Sequence, residues 1–255
     1  MEGRPCGPDT PAAARVWNYW LGGLDYYQPD RELADRIAGI CPGAPLMAAD
    51  SRDFTARAVT WAAREGVTRF LDLGCGYPRP PGAGIHDIAR AVNPAAAVAY
   101  ADIDEDVAHY SSWVYGEERK LEGVTATCAD LRDPAAVLAA PGVREVIDLT
   151  APVCVTAGAA LHFMPADQAA EVTAGYMARL PARSILVATA GRVDDAGRWE
   201  LVRAEWEAAT GTGLWNFTRG EFAALFGGLE IVMVPGPVAG PRGAAHVLGG
   251  AARKP

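Results

Sequence analysis

The 255-residue sequence lacks several features that mark whole classes of protein. No apolar run is long enough to span a bilayer, and no signal-peptide pattern opens the chain. Five scattered cysteines form no C-x-x-C pair, which argues for reduced cytoplasmic thiols rather than a disulfide framework or a metal site. The net charge is −8 with no basic stripe, so phosphate-rich nucleic acid is a poor partner. We therefore expect a cytoplasmic monomer or homodimer with no membrane, metal or nucleic-acid partner.

What the sequence does contain is a regular alternation of short apolar runs and helix-compatible segments. After three predicted helices, seven runs are typical of strands, and the last two resemble a hairpin. This pattern predicts an α/β, Rossmann-like fold: a seven-stranded, mostly parallel sheet with an antiparallel last strand at its edge, helices on both faces and a helical N-terminal cap. We divide the chain into a cap (1–66) and a core (67–255) with a helical insertion near 191–228.

A glycine turn follows the first predicted strand, in the segment Asp72-Leu73-Gly74-Cys75-Gly76. Glycine tolerates both a tight turn and the close approach of a ligand to the backbone. A dinucleotide fingerprint would need a third glycine where Arg79 stands, so a pyrophosphate fits poorly. The acid before the turn suits an amine-bearing ligand better. A plain tight turn without a ligand remains the alternative.

Two further acids follow the next two predicted strands. Asp102 can accept hydrogen bonds from both ribose hydroxyls of a nucleoside, and Asp130 can accept one from an adenine amino group while Leu131 packs on the ring. Each acid alone could be only a helix or loop cap. Three such features on successive strand ends would meet at one edge of a parallel sheet, which favours a nucleoside-type site.

These same segments carry a resemblance. Asp72–Gly76, Tyr100–Asp104 and Ala129–Pro134 resemble motifs of class I S-adenosylmethionine-dependent methyltransferases. The opening segment Ala14–Asp25 and the segment Leu161–Pro165 are similar to an actinobacterial, DUF574-like subfamily of these enzymes, and the likeness covers nearly the whole chain.

The sequence departs from the subfamily's usual pattern in the loop before His86, in the aromatic bulk at Trp17 and Trp20, and at two further residues. Cys75 stands where a threonine is usual, and Asn18 where an aspartate is usual. These departures bear on the acceptor rather than on the cofactor.

The resemblance implies S-adenosylmethionine as cofactor, with S-adenosylhomocysteine (SAH) as its product. It implies that Asp72 orients the amino group, that the sulfonium lies near the glycine turn, and that the N-terminal helix closes over the site. The cofactor-binding residues expected on this basis are Tyr19, Gly23, Asp72, Gly74, Gly76, Asp102, Ile103, Asp130 and Leu131.

Methyl transfer from a sulfonium needs mainly alignment, and a general base only where the nucleophile holds its proton. His162, after the fourth strand, is the best candidate base, although it could equally cap a helix or pack under the cofactor. Asp25 and Tyr26 are the other candidate catalytic residues.

The acceptor is expected to be a small molecule bound under an aromatic roof. Core packing is the default for a tryptophan, but the aromatic residues here belong to segments that should cover the crevice. A flat, indole- or phenol-bearing specialised metabolite would suit such a roof. The predicted substrate-binding residues are Trp17, Trp20, Phe163 and Trp215.

Two alternatives stay open at this point. One is a cofactor-binding regulatory relative without catalysis, which the departures at Cys75 and Asn18 leave possible. The other is a nicotinamide-dependent oxidoreductase, against which the missing third glycine and the acid before the turn both count.

Overall fold

A seven-stranded sheet forms the centre of the chain over the residues that the computed structural model describes, 7–238 and 247–255. Its strands follow the spatial order β3-β2-β1-β4-β5-β7-β6. Strands β1, β2, β4, β5 and β7 are buried on both faces, as their continuous apolar or small-residue runs require. The strands are β1 Arg69–Leu73, β2 Ala97–Asp102, β3 Val124–Cys128, β4 Val153–Gly158, β5 Ile185–Gly191, β6 Glu230–Pro237 and β7 Val247–Arg253.

The predicted mostly parallel sheet with an antiparallel last strand is confirmed. Strands β1 to β5 pair in parallel, whereas β7 runs antiparallel to both of its neighbours. The predicted edge position of the antiparallel strand was wrong, because β7 lies between β5 and β6. Small residues explain this: side chains at Gly249 and Gly250 would overlap Phe54 and Phe226, so β7 fits an interior position. Residues 245–246 of the predicted last strand lie outside the described residues.

Helices cover both faces of the sheet, as predicted. One face packs against α3, α4 and a π-helical turn at Val114–Glu118, and the other against α6, α7, α8 and α10. The helices are α1 Ala13–Trp20, α2 Gln28–Ile40, α3 Ala44–Arg64, α4 Ile85–Arg90, α5 Glu105–Trp113, α6 Pro134–Ala139, α7 Pro141–Val146, α8 Ala166–Arg179, α9 Ala196–Thr210 and α10 Arg219–Ala224.

The N-terminal helices form a third apolar cluster. Residues of α1 and α2 pack against Val202 and Trp206 of α9, which lies in the predicted insertion. A buried ion pair between Arg15 and Asp30, 2.7 Å long, joins α1 to α2. Helix α3 instead packs on the sheet itself. The proposed division at residue 66 stays a prediction, and its residues 1–6 lie outside the described part.

The arrangement of strands fixes where a ligand can bind. Strand order reverses between β1 and β4, and open α/β sheets bind ligands at the carboxyl ends of the strands around such a point. No helix among the described residues is long and apolar enough to cross a membrane.

Candidate functional site

The glycine turn joins the end of β1 to the neighbouring strand β2. The backbone N–H groups of Gly74 and Cys75 both donate to the carbonyl of Ala101, at 2.8 and 3.2 Å. Gly74 and Gly76 have φ values of +64° and +63°, a conformation that side-chain-bearing residues rarely adopt. A side chain at Gly74 would overlap Ala160, whereas one at Gly76 would point into open space. The turn therefore borders an open crevice at Gly76.

Asp102 lies at the end of β2 and is oriented by the same turn. Its Oδ2 accepts a hydrogen bond from the Gly76 N–H at 2.9 Å, and its Oδ1 accepts one from the Asp104 N–H at 3.1 Å. Burial raises the pKa of Asp102 to about 6, against the opposing effect of these two N–H donors. Each carboxylate oxygen keeps a second lone pair, so both can still accept from a ligand hydroxyl.

Asp72 lies at the end of β1 with its side chain turned into the protein. Thr156 of β4 donates a 2.5 Å hydrogen bond to its Oδ1. Burial raises the pKa of Asp72, while the charges of Arg79 and Arg52 act in the opposite direction. Burial, followed by the charge of Arg79, lowers the pKa of Arg52 to about 9. The site thus combines a buried carboxylate with two cationic side chains.

Sequence reasoning missed both arginines as members of the site. In the sequence, Arg79 is notable only because it replaces the third glycine of a dinucleotide fingerprint. Arg52 lies on α3, in a helical segment with no motif of its own. Only the packing of α3 on the sheet brings it within electrostatic reach of Asp72.

The third strand end carries Asp130 and Leu131. Both oxygens of Asp130 accept hydrogen bonds from the Arg132 guanidinium, at 2.6 to 2.9 Å. Burial raises the pKa of Asp130, but the bonds from Arg132 outweigh it and leave the pKa below its usual value. The Leu131 side chain lies within van der Waals reach of Gly74, and Ile103 beyond β2 is exposed. An adenine ring would meet apolar contacts here and a carboxylate already paired with an arginine.

The loop after α1 is fixed by Asn18, the residue that departs from the subfamily pattern. The backbone N–H of Asp25 donates to the Asn18 side-chain oxygen at 3.0 Å. Gly23 packs directly on the Asn18 amide, so no side chain fits at that position. Asn18 is therefore suited to hold this loop closed.

Two further predicted residues of the N-terminal segment contact each other. The rings of Tyr19 and Tyr26 lie 5.0 Å apart, and the Tyr19 hydroxyl donates to Asp35 at 2.9 Å. The charge of Asp25 acts on Tyr110 of α5, whose pKa is raised first by burial and then by this charge. The loop thus lies beside α5, the helix that follows Asp102.

A small cavity lies at the ends of β4 and β5, under the N-terminal helices. Its volume is about 50 Å³, and its lining is almost wholly apolar. Trp17, Trp20 and Trp215, three of the residues predicted to bind the substrate, all line it. Phe163 instead packs behind the wall, with its ring 5.9 Å from that of Trp17. Two tryptophans of α9 complete the wall, Trp199 and Trp206.

His162 also lines this cavity, and its two ring nitrogens differ in their surroundings. Nδ1 accepts a 3.1 Å hydrogen bond from the Gly191 N–H. Burial lowers the pKa of His162 to about 4, so the ring is neutral near pH 7 and carries its proton on Nε2. This arrangement favours hydrogen-bond donation over the general-base role predicted from the sequence.

The Nε2 atom of His162 is buried and has no hydrogen-bond partner among the described residues. An unsatisfied buried donor costs about 1–3 kcal/mol, so a native structure retains one only for a reason. The cavity also lies near the glycine turn, because His162 follows Ala160 by two residues and Ala160 packs on Gly74.

Comparison with known proteins identifies the relatives of this chain. A family model described as S-adenosyl methyltransferase matches residues 3–244. The chain is similar to a DUF574 family protein from Streptomyces avermitilis, whose crystal structure superposes on it with a TM-score of 0.87. The two sequences are 31% identical, and the match covers 97% of this chain and 99% of the other. A putative methyltransferase from Thermobifida fusca is 30% identical, covers 100% of this chain and 99% of its own, and has a TM-score of 0.85.

A more distant structure shares the fold alone. Magnesium protoporphyrin IX methyltransferase from Synechocystis, crystallised with bound SAH, is 13% identical and has a TM-score of 0.56. It covers 94% of this chain and 93% of its own. No curated protein matches the chain.

Proposed function

The chain belongs to the S-adenosyl methyltransferase family and is an S-adenosylmethionine-dependent methyltransferase of the DUF574 type, and we propose that it methylates a small specialised metabolite with an indole- or phenol-like ring. The observation that carries this acceptor class is the cavity lined by tryptophans at the ends of β4 and β5. Flat aromatic ligands gain both apolar burial and favourable ring–ring geometry against such a wall.

The cofactor is assigned to the crevice at the ends of β1, β2 and β3. Asp102 receives the ribose hydroxyls, a role supported by the free lone pairs on both of its oxygens. Leu131 and the exposed Ile103 provide apolar contacts for the adenine, and Asp130 accepts from its amino group alongside Arg132. The open space at Gly76 supports a bound cofactor that lies along the turn.

The amino-acid end of the cofactor is assigned to the other side of the turn. Asp72 pairs with the amino group, which compensates the burial of the carboxylate. The positive charges of Arg52 and Arg79 beside it suit the cofactor carboxylate. Gly74 then lies next to the sulfonium, on the side of Ala160 and the cavity.

The N-terminal segment closes the site. Tyr19 and Gly23 belong to the wall over the cofactor, and Asp25 and Tyr26 face the region where the acceptor meets the methyl group. The effect of the Asp25 charge on Tyr110 of α5, the helix that follows Asp102, supports the position of this segment over the cofactor. We assign Asp25 as the base that accepts a proton from a nucleophile that must lose one.

Methyl transfer is an in-line displacement from carbon by the acceptor's lone pair, with SAH as the leaving group. The chain contributes chiefly alignment and a dry cavity, and effective molarities show that alignment alone can contribute several kcal/mol. Trp17, Trp20 and Trp215 fix the plane of the acceptor, while Phe163 supports Trp17 from behind.

Titration of the SAH-loaded protein with indoles and phenols tests the acceptor class. Tryptophan fluorescence should change on binding, and productive acceptors should give methylated product by mass spectrometry when S-adenosylmethionine is supplied. If no aromatic compound alters the fluorescence, the acceptor class is refuted.

A regulatory relative without catalysis gives a different result. It would bind SAH in calorimetry and bind aromatic ligands, yet yield no methylated product across the panel. NAD serves as the negative control in the same calorimetry.

A further inference from the structure

One polar atom of a residue that lines the tryptophan-lined cavity is not used by the fold. His162 is 2% exposed, and its Nε2 has no hydrogen-bond partner among the described residues. The remaining lining is almost wholly apolar. A single buried donor in such surroundings fixes the orientation of a ligand, because buried polar groups require a partner.

The ring of His162 is held so that this donor cannot turn away. Reversing the ring would remove the acceptor from the Gly191 N–H, which Nδ1 now satisfies at 3.1 Å. The rings of Trp17 and Phe163 lie 5.5 and 4.6 Å from the imidazole and limit its rotation. Nε2–H is therefore a fixed donor.

We propose that His162 determines acceptor specificity: its Nε2–H donates a hydrogen bond to a lone-pair atom of the methyl acceptor, such as a carbonyl or phenolic oxygen. This inference rests on the proposed function. The same donor rejects an ammonium group, which offers only hydrogens and a positive charge to an N–H.

The size of the cavity limits what enters it. A volume of about 50 Å³, where about 10–15 Å³ is enough for one water molecule, holds a group of a few non-hydrogen atoms. The oxygen-bearing end of the acceptor enters the cavity beside His162, and its aromatic ring packs against the tryptophans that line it. The lowered pKa of His162 supports this recognition, because the ring keeps one N–H and no charge near pH 7.

Three probes of nearly equal shape separate the effect of a hydrogen-bond acceptor in the ligand from the effect of the ligand's shape. Acetophenone offers a carbonyl oxygen, α-methylstyrene has a CH₂ group in its place, and 1-phenylethylamine carries an ammonium group. Each is titrated into the SAH-loaded protein, with tryptophan fluorescence as the readout. We expect acetophenone to bind at least tenfold more tightly than either of the others.

Two variants assign this preference to His162. His162→Phe keeps a ring without a donor and should reduce the preference for acetophenone to less than twofold. His162→Gln retains an N–H donor and should preserve part of the preference. SAH affinity, measured by calorimetry in both variants, should remain within twofold of the unmodified protein.

Imidazole ¹⁵N NMR on the unmodified protein tests the same inference without a variant. The Nε2–H signal of His162 should shift when acetophenone is added and stay in place with α-methylstyrene. Equal affinities for the three probes, a preference that survives in His162→Phe, or an Nε2–H signal that responds to neither ligand would overturn the proposal.

These results are distinguishable from failure of the proposed function. If no aromatic probe binds at all, the acceptor class fails together with the role of His162. If the probes bind without discrimination, only the role of His162 fails. If discrimination depends on His162 but no methylated product forms with any acceptor, catalysis fails while the recognition stands.

Discussion

The buried carboxylate of Asp102 gives the cofactor site a pH dependence that can be worked out in advance. Burial holds the pKa of Asp102 at about 6 in the absence of ligand. Hydrogen bonds from two ribose hydroxyls favour the ionised carboxylate and lower this pKa on binding. Binding therefore releases a proton below pH 6, and SAH affinity should rise with pH until Asp102 is fully ionised.

The size of the effect follows from the same pKa. At pH 5 about 90% of a carboxyl with a pKa of 6 is protonated, and at pH 7.5 nearly all of it is ionised. If only the ionised carboxylate binds the ribose, SAH should bind about tenfold more weakly at pH 5 than at pH 7.5, which is about 1.4 kcal/mol.

Isothermal titration calorimetry at pH 5.0, 6.0 and 7.5 measures this dependence directly. Asp102→Asn should bind SAH at least tenfold more weakly at pH 7.5 and lose the part of the pH dependence that Asp102 contributes. Asp130→Asn is the matched control: Arg132 holds the pKa of Asp130 below its usual value, so this variant should keep the full pH dependence. Affinity that is flat from pH 5 to 7.5, or a slope unchanged in Asp102→Asn, would refute the reasoning.

Three further predictions concern the stability of the fold. Gly76→Ala should lower stability by about 1–2 kcal/mol, seen as a lower Tm, because φ is +63° at that position. Asp30→Asn should cost about 3–5 kcal/mol in urea unfolding, because it removes the negative charge that lies 2.7 Å from the buried Arg15 guanidinium. His162 is neutral when folded and charges when unfolded, so stability falls by up to about 3 kcal/mol as pH drops from 6.5 to 4, and His162→Phe should lack this loss.

Each of these predictions has a control. Gly220→Ala, within α10 and with open space around it, should be neutral or stabilising. Glu205→Gln breaks an exposed ion pair with Arg36 and should change stability by less than about 1 kcal/mol. Equal Tm losses at Gly76 and Gly220, or equal costs at Asp30 and Glu205, would contradict the account. A His162→Phe variant whose stability falls between pH 6.5 and 4 as much as that of the unmodified protein would also contradict it.

The sheet and the turn were predictable because they depend on local sequence. An apolar run that ends in Asp72 and passes into Gly74 and Gly76 specifies strand and turn within a few residues. The spacing to Asp102 then gives one βα unit, and parallel pairing brings both strand ends together. Local pattern and tertiary structure agree at these positions.

Features that depend on distant packing were not predictable. The interior position of β7 follows from the fit of Gly249 and Gly250 against side chains from other elements. Sequence spacing did not indicate that Gly191 would donate to His162. Arg52 reaches the site only through the packing of a long helix on the sheet. Each of these contacts requires knowledge of which elements are neighbours in space.

A crystal structure of the protein with SAH tests the central claim most directly, namely that the ends of β1, β2 and β3 hold the cofactor. The account predicts both ribose hydroxyls at about 3 Å from the Asp102 carboxylate, with the sulfur beside Gly74 and the amino group against Asp72. A ribose elsewhere, with Asp102 bonded only to the N–H groups of Gly76 and Asp104, would contradict it.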